Sequence, residues 1–340
     1  MCLSAKKTKN YTVGVFIFFS LLFSSCIKPQ SSYNKMQGNV FGTTFHITYK
    51  DNLQRDFTKE VASLFNKFNH SLSTYHLNSV ISKLNNGAES IEVDANFKQV
   101  FLLSKKIHKE TGGYFDPTIG KMVNAWGFGP VKIKTKPTEQ QVDSLMKFVG
   151  FDKITIDGNI VNKKDKSCYL DFNAIAKGYS VDVIANFLEN KNIANYLVEI
   201  GGEIRAKGVN AKNKYWSVGI ENPNLDGTRS LTKITTLENE SMATSGNYRK
   251  YKIDKNTGAK IAHTLNPKTG FPAKTDLLSV SVIGKMTCGE VDAYATSFMA
   301  MGFKRAKKMV LKNNKIKVFF IYIQDDVLKT YASPSITFID

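Results

Sequence analysis

The sequence predicts an α+β fold with a largely antiparallel sheet and flanking helices. Three observations carry this. Segments with strand-type alternation and segments with helical spacing are mixed along the chain without a regular βαβ repeat. The hydrophobic share, 42% of 340 residues, is enough for a substantial core. No internal repeat and no linker after residue 36 divides the chain, so residues 38–340 form the folded part.

The elements follow in order. Val40 to Tyr49 alternates apolar and polar side chains and reads as a strand. Asp56 to Phe68 carries Phe57, Val61, Leu64, Phe65 and Phe68 at helical spacing. Asn78 opens a short helix through Leu84. Asp94 is the N-cap of a helix that runs to about Glu110 and stops at Gly112-Gly113. Thr138 and Gln141 have the spacing of a capping box for a helix to Phe148. Short strands are expected around Ile154, Ile160 and Tyr169, then a helix from Asn173 to Glu189 and a strand from Tyr196 to Ile200. Strands at Thr232–Thr236, Tyr248–Ile253, Leu278–Ile283 and Val318–Ile323, and helices at Glu290–Met301 and Lys304–Leu311, complete the reading.

The N-terminus is set apart from this fold. Lys6, Lys7 and Lys9 precede Val13 to Phe23, an apolar run too short to span a bilayer as a stable helix. Phe23-Ser24-Ser25-Cys26 resembles a bacterial lipobox. Residues 1–25 are therefore expected to be a lipoprotein signal, Cys26 the lipidated residue, and 26–37 a tether. Cys168 and Cys288 remain, either as a disulfide in an exported protein or as two buried thiols. The net charge of +18 is spread over the whole length, with no Arg-rich stripe or nucleic-acid motif. A solvated basic surface is expected, and no nucleic-acid partner.

Several segments carry chemistry. Asp292 and Thr296 lie four residues apart in a helical run of small and apolar residues, so both oxygens share one face. Such a face can offer two hard ligands to Mg²⁺; it also fits a first-turn charge and a filler hydroxyl. Thr111 to Gly120 and Asn124 to Pro130 are rich in glycine and aromatic residues, suited to close backbone approach and ring packing. Leu170 to Asp182 leads into a helix N-terminus, an anion site to which Lys177 can add a positive charge. Glu199 to Glu203 and Met242 to Arg249 fit loops around a phosphate and fit ordinary turns. His263 precedes a polar Pro/Gly turn ending at Pro272, a suitable place for a general base.

Taken in order, these segments resemble the ApbE family of FAD:protein FMN transferases. The resemblance runs from about Gly38 onward through Phe41-Gly-Thr-Thr-Phe45, Leu72-Ser-Thr-Tyr75, Gly112-Gly-Tyr-Phe-Asp-Pro-Thr118, Trp126-Gly-Phe-Gly129 and Asp171 to Gly178. It continues through Gly201-Gly202, Ala243-Thr-Ser-Gly246, His263 to Gly270 and Asp292 to Thr296. It implies a T-fold-like architecture that binds FAD as substrate, with Mg²⁺ at the pyrophosphate. FMN would pass to a Thr hydroxyl of a membrane redox subunit and AMP would leave. By the same resemblance Asp292, Thr296 and the Ala174 carbonyl hold the metal, and Tyr75 stacks on adenine. Phe41, Tyr114, Phe115, Asp116, Asp171, Lys177 and Leu265 contact the flavin nucleotide, and His263 is the base. Phe41, Asn173 and Asn266 stand where Met, Gly and Asp are commoner. An envelope location facing the periplasm, anchored to membrane by lipid, is implied as well. FAD hydrolysis to FMN and AMP, or FAD binding without turnover, are the competing expectations.

Overall fold

The computed structural model describes residues 33–131, 133, 135–224, 228, 230–247, 251–253 and 260–339. The expected signal and Cys26 lie outside the described residues. The strands are β1 (Tyr33–Val40), β2 (Thr43–Lys50), β3 (Ser90–Glu92), β4 (Ile154–Asp157), β5 (Ile160–Lys163), β6 (Tyr196–Ile200), β7 (Glu203–Lys207), β8 (Trp216–Glu221), β9 (Leu231–Leu237), β10 (Ser241–Gly246), β11 (Tyr251–Ile253), β12 (Lys260–Ala262), β13 (Leu277–Gly284), β14 (Lys317–Gln324), β15 (Val327–Ala332) and β16 (Phe338–Ile339). The helices are α1 (Thr58–Leu72), α2 (Val80–Asn85), α3 (Ala95–Glu110), α4 (Gly120–Ala125), α5 (Glu139–Met146), α6 (Ala176–Asn190), α7 (Cys288–Met301) and α8 (Phe303–Val310).

The frame is an eight-stranded sheet in the order β1-β2-β6-β7-β10-β13-β14-β15, with every neighbouring pair antiparallel. One face buries Val198, Val280, Val282, Val318 and Phe320 against residues of α1, α3, α6 and α7. The other buries Ile204, Ile283, Phe319 and Ile321 against Trp216, Val218 and Leu237 of the small sheet β16-β9-β8. Burial on both faces explains why β14 reads as an unbroken apolar run. A third cluster, Met122, Trp126, Phe128, Val142 and Leu265, joins α4 and α5 to the loop that follows β12.

Local signals placed many boundaries. The Asp94 side chain accepts from the Phe97 N–H, and both halves of the Thr138/Gln141 capping box are formed. Corrections follow from the long-range pairing. The expected strand at Val40–Tyr49 is a hairpin: Phe41 and Gly42 have φ of 52° and 75° and turn the chain between β1 and β2. Because β1 begins at Tyr33, residues 33–37 belong to the sheet and not to a tether; Met36, Gly38 and Val40 alternate inward with Lys35, Gln37 and Asn39 outward. No strand forms at Tyr169, whose neighbour Asp171 donates its N–H to the Pro117 carbonyl at 2.7 Å. The second helix begins at Val80 and not at Asn78, capped by Ser79, whose side chain accepts from the Ser82 N–H. Cys168 and Cys288 are buried free thiols.

Candidate active site

A cavity of about 1200 Å³ lies at the ends of β2, β6, β7 and β10, between these strands and α6, α7 and the loop after β12. All the site candidates within the described residues line it: Phe41, Tyr75, Tyr114, Phe115, Asp116, Asp171, Ala174, Lys177, His263, Leu265, Asp292 and Thr296.

Its floor is the contact between α6 and α7. Gly178 makes that contact possible, because a Cβ there would meet the Cys288 carbonyl oxygen at 2.4 Å and Asp292 Cβ at 2.7 Å. The helices cap each other. Asp292 on α7 accepts the Gly178 N–H in the first turn of α6 at 3.0 Å. Asp182 on α6 accepts the Cys288 and Gly289 N–H groups, both at 2.9 Å, at the start of α7. Each such cap is worth about 1 kcal/mol, and both fix the relative position of the two helices.

Asp292 is only 4% exposed. Burial, and then the carboxylate of Glu203, push its carboxyl up to about 8. Lys177 donates to Glu203 Oε2 at 2.7 Å. Burial pulls the Lys177 ammonium down, but Glu203 and Asp292 outweigh it and the lysine is held above its ordinary value. Burial raises the Glu203 carboxyl in spite of this partner. The floor is thus a lysine between two buried acids, a balanced set rather than the free cation that Lys177 suggested in the sequence.

One turn along α7, Thr296 Oγ1 lies 3.2 Å from Ser245 Oγ of β10. The segment at Met242 to Gly246, expected just before a strand, is itself β10, and it carries Thr244 and Ser245 to the cavity. The donor set fits Mg²⁺: the Asp292 carboxyl, whose ionised form burial disfavours, the Thr296 hydroxyl one turn away and the backbone carbonyl of Ala174, another lining residue, are all hard oxygens. Among the described residues no group of three or more His, Cys, Asp or Glu side chains forms a metal-type cluster. Magnesium does not require one, since it retains waters and takes phosphate oxygens.

The aromatic wall is held differently. The Asp116 carboxylate accepts the Thr118 N–H at 2.8 Å and its hydroxyl at 2.5 Å; burial raises this carboxyl against those bonds. Asp171 accepts from Asn173 N–H at 2.8 Å. Phe41 packs on Phe65 and Phe68 at centroid separations of 5.6 and 5.0 Å. Arg305 donates to the Tyr114 hydroxyl, and Lys268 Nζ lies 4.7 Å from the Tyr114 ring centre. At the rim Tyr75 is 60% exposed. His263 meets Phe128 edge-on at 6.3 Å. Its loop is pinned by Trp126, which donates to the Gly270 carbonyl at 2.8 Å, and by Thr264, which donates to Asn247 Oδ1 at 2.8 Å.

A sequence model of the ApbE family matches residues 41–320. The chain belongs to the ApbE family. It is similar to the FAD:protein FMN transferase of Haemophilus influenzae, 36% identical over 338 residues that cover 96% of each chain. It is 35% identical over 322 residues to the FAD:protein FMN transferase of Vibrio cholerae, covering 93% of this chain and 95% of that one. Among solved structures, the flavin transferase ApbE from Vibrio cholerae superposes with a TM-score of 0.79 at 33% identity, covering 89% of this chain and 97% of that one. The apo form of Pseudomonas stutzeri flavinyl transferase ApbE gives 0.79 at 26% identity, covering 89% and 95%. The expected ApbE architecture is therefore the observed one.

Three features of this ApbE site escaped the sequence reading. Glu203 was part of a glycine turn, yet its carboxylate is 2% exposed and holds Lys177. Ser245 stood in a turn-like run and proves to be the hydroxyl beside Thr296. Phe128 was one aromatic among several and is the ring behind His263. All three depend on contacts across twenty-six residues or more, for which local spacing holds no signal.

Proposed function

We propose that this chain is a Mg²⁺-dependent FAD:protein FMN transferase that esterifies FMN to a Thr hydroxyl of a membrane redox subunit and releases AMP. The carrying observation is the cavity itself. It exceeds the roughly 300–1,000 Å³ usual for small-ligand pockets, and it joins an aromatic wall to an oxygen-rich, lysine-bearing floor. That division suits a flavin dinucleotide, with rings on one part and pyrophosphate on the other. The family's curated relatives bear the same activity as their name.

In this reading the acceptor hydroxyl attacks the phosphorus on the FMN side of the pyrophosphate. A new O–P bond forms, the bridging P–O bond breaks, and AMP leaves with the electron pair. His263 takes the hydroxyl proton, for which an imidazole is suited near neutral pH. Lys177, which lines the floor of the cavity, would meet the charge that develops on the phosphoryl oxygens. Asp292, Thr296 and the Ala174 carbonyl would hold Mg²⁺, which would supply Lewis-acid stabilisation of the phosphoryl oxygens. Tyr75 offers its exposed ring to the adenine. We place the protein at the bacterial envelope, facing the periplasm and anchored through lipid on Cys26; among the described residues no helix is long and apolar enough to cross a membrane.

Incubation with FAD, Mg²⁺ and a purified Thr-bearing acceptor domain should give an FMN adduct by intact mass, with one AMP released per adduct. FAD consumed to FMN and AMP with no adduct would make the chain a hydrolase. FAD bound and never consumed would make it a binding protein.

A further inference from the structure

We infer that the groove between β1 and α1 receives an extended segment of the acceptor protein as an added strand, and guides it into the cavity; the inference rests on the transferase reading. A second cavity of about 610 Å³ lies there. It touches consecutive residues of β1, from Lys35 through Gln37 and then Asn39 and Val40, and reaches Phe41 of the turn. Side chains of a strand alternate between faces. A cavity that meets both sets must run along the strand's edge, where the backbone is displayed.

The hydrogen-bond phase of the hairpin shows which groups are displayed. The two-residue turn at Phe41-Gly42 makes Val40↔Thr43 a hydrogen-bonded pair, and the pairs Gly38↔Phe45 and Met36↔Ile47 keep that phase. Thr44 agrees, because its carbonyl points the other way and accepts from the Gly201 N–H at 3.0 Å. The N–H and C=O groups of Lys35, Gln37 and Asn39 therefore face away from β2. β1 is the terminal strand of the large sheet. It has no proline, its register is unbroken over eight residues, and Lys35 is its one charged side chain. Apart from Lys35, none of the usual devices that protect an edge from pairing lies along it among the described residues.

The other wall is α1, which presents Ala62, Asn66 and Asn69 to the groove. The floor between the walls is apolar, with Met36, Val40 and Phe65. A backbone ladder beside an apolar trough is the arrangement by which a sheet edge takes up a peptide. At a strand rise of about 3.4 Å, the span from Lys35 to Phe41 accepts about six residues. The groove also has a destination. Phe41 and Asn69 line both it and the large cavity. A segment paired with β1 is delivered to the place where its hydroxyl must react. The occupant is thus the acceptor's own chain.

The test uses the full chain with FAD, Mg²⁺ and the acceptor domain of the transfer assay. Gln37→Pro removes one outward N–H and leaves the hydrogen-bonded pairs at Met36 and Gly38 intact. Ala62→Trp fills the trough from the helix side, and covers the case in which the proline variant fails to fold. Each should raise the KM for the acceptor at least about tenfold, with FAD affinity and kcat at saturating acceptor unchanged. With an acceptor whose target Thr is replaced by Val, amide exchange at Lys35, Gln37 and Asn39 should slow on mixing. An unchanged acceptor KM in the folded variants, or edge amides indifferent to the acceptor, overturns the groove while the transferase reading stands. Protection of those amides in the protein alone overturns it too, since a second copy or the chain's own N-terminal segment then holds the edge. Wild-type protein that forms no adduct overturns the transferase reading and the groove with it.

Discussion

The floor and the rim of the cavity are built by different rules. On the floor, Asp292 and Glu203 are 4% and 2% exposed, and their partners are helix N–H groups and Lys177. These side chains belong to the core, and their chemistry is bound up with folding. At the rim, Tyr75 is 60% exposed and His263 sits on a loop held by Trp126 and Thr264 rather than by its own burial. The difference teaches where stability and activity part company. A floor group is kept in an unfavourable state by the packing around it, as sites commonly are. A rim group can be removed with little effect on the fold.

The largest expected effect breaks the floor. Asp292→Asn keeps an oxygen for the Gly178 N–H and deletes the charge. Turnover in Mg²⁺ should fall by roughly 10⁴-fold, about 5 kcal/mol of transition-state stabilisation. The melting temperature of the metal-free protein should hold or rise, because a buried carboxyl whose ionisation burial and Glu203 oppose is gone. A variant that keeps most of its activity would place the metal elsewhere. At the rim, His263→Ala should lower the transfer rate by roughly 10²–10⁴-fold, with FAD affinity and melting temperature close to wild type. A full-rate variant removes His263 as the base.

Gly178→Ala tests the helix contact on which the floor depends. The added methyl group meets backbone and a core side chain, so unfolding free energy should drop by about 1–3 kcal/mol in chemical denaturation. A neutral result would mean that α6 and α7 shift apart without penalty. The smallest effect is expected from Tyr75→Ala. The KM for FAD should rise about tenfold, within the roughly 1–3 kcal/mol of an aromatic stacked on a base. Stability should stay within about 0.5 kcal/mol. A large loss of stability here would end the distinction between rim and floor.

Much of this was legible in the sequence because it is local. The Asp94 cap, the Thr138/Gln141 box, strand β6 and the face shared by Asp292 and Thr296 need only neighbours within about four residues. The in-order motifs likewise marked the lining residues, which the fold gathers into one cavity. What the sequence could not determine is set by partners far along the chain. Nothing near Glu203 announces Lys177 twenty-six residues away, and nothing near Asp292 announces the Gly178 N–H it caps. The edge of β1 was read as tether because its pairing lies with residues beyond a turn at Phe41, and a hairpin's register is a property of both strands. Whether Lys177 is a free cation or is paired with a buried acid is likewise a matter of distance in space. Composition and spacing determine which groups are available; only tertiary structure decides which of them meet, because burial and Coulomb energy depend on three-dimensional separation and not on order along the chain.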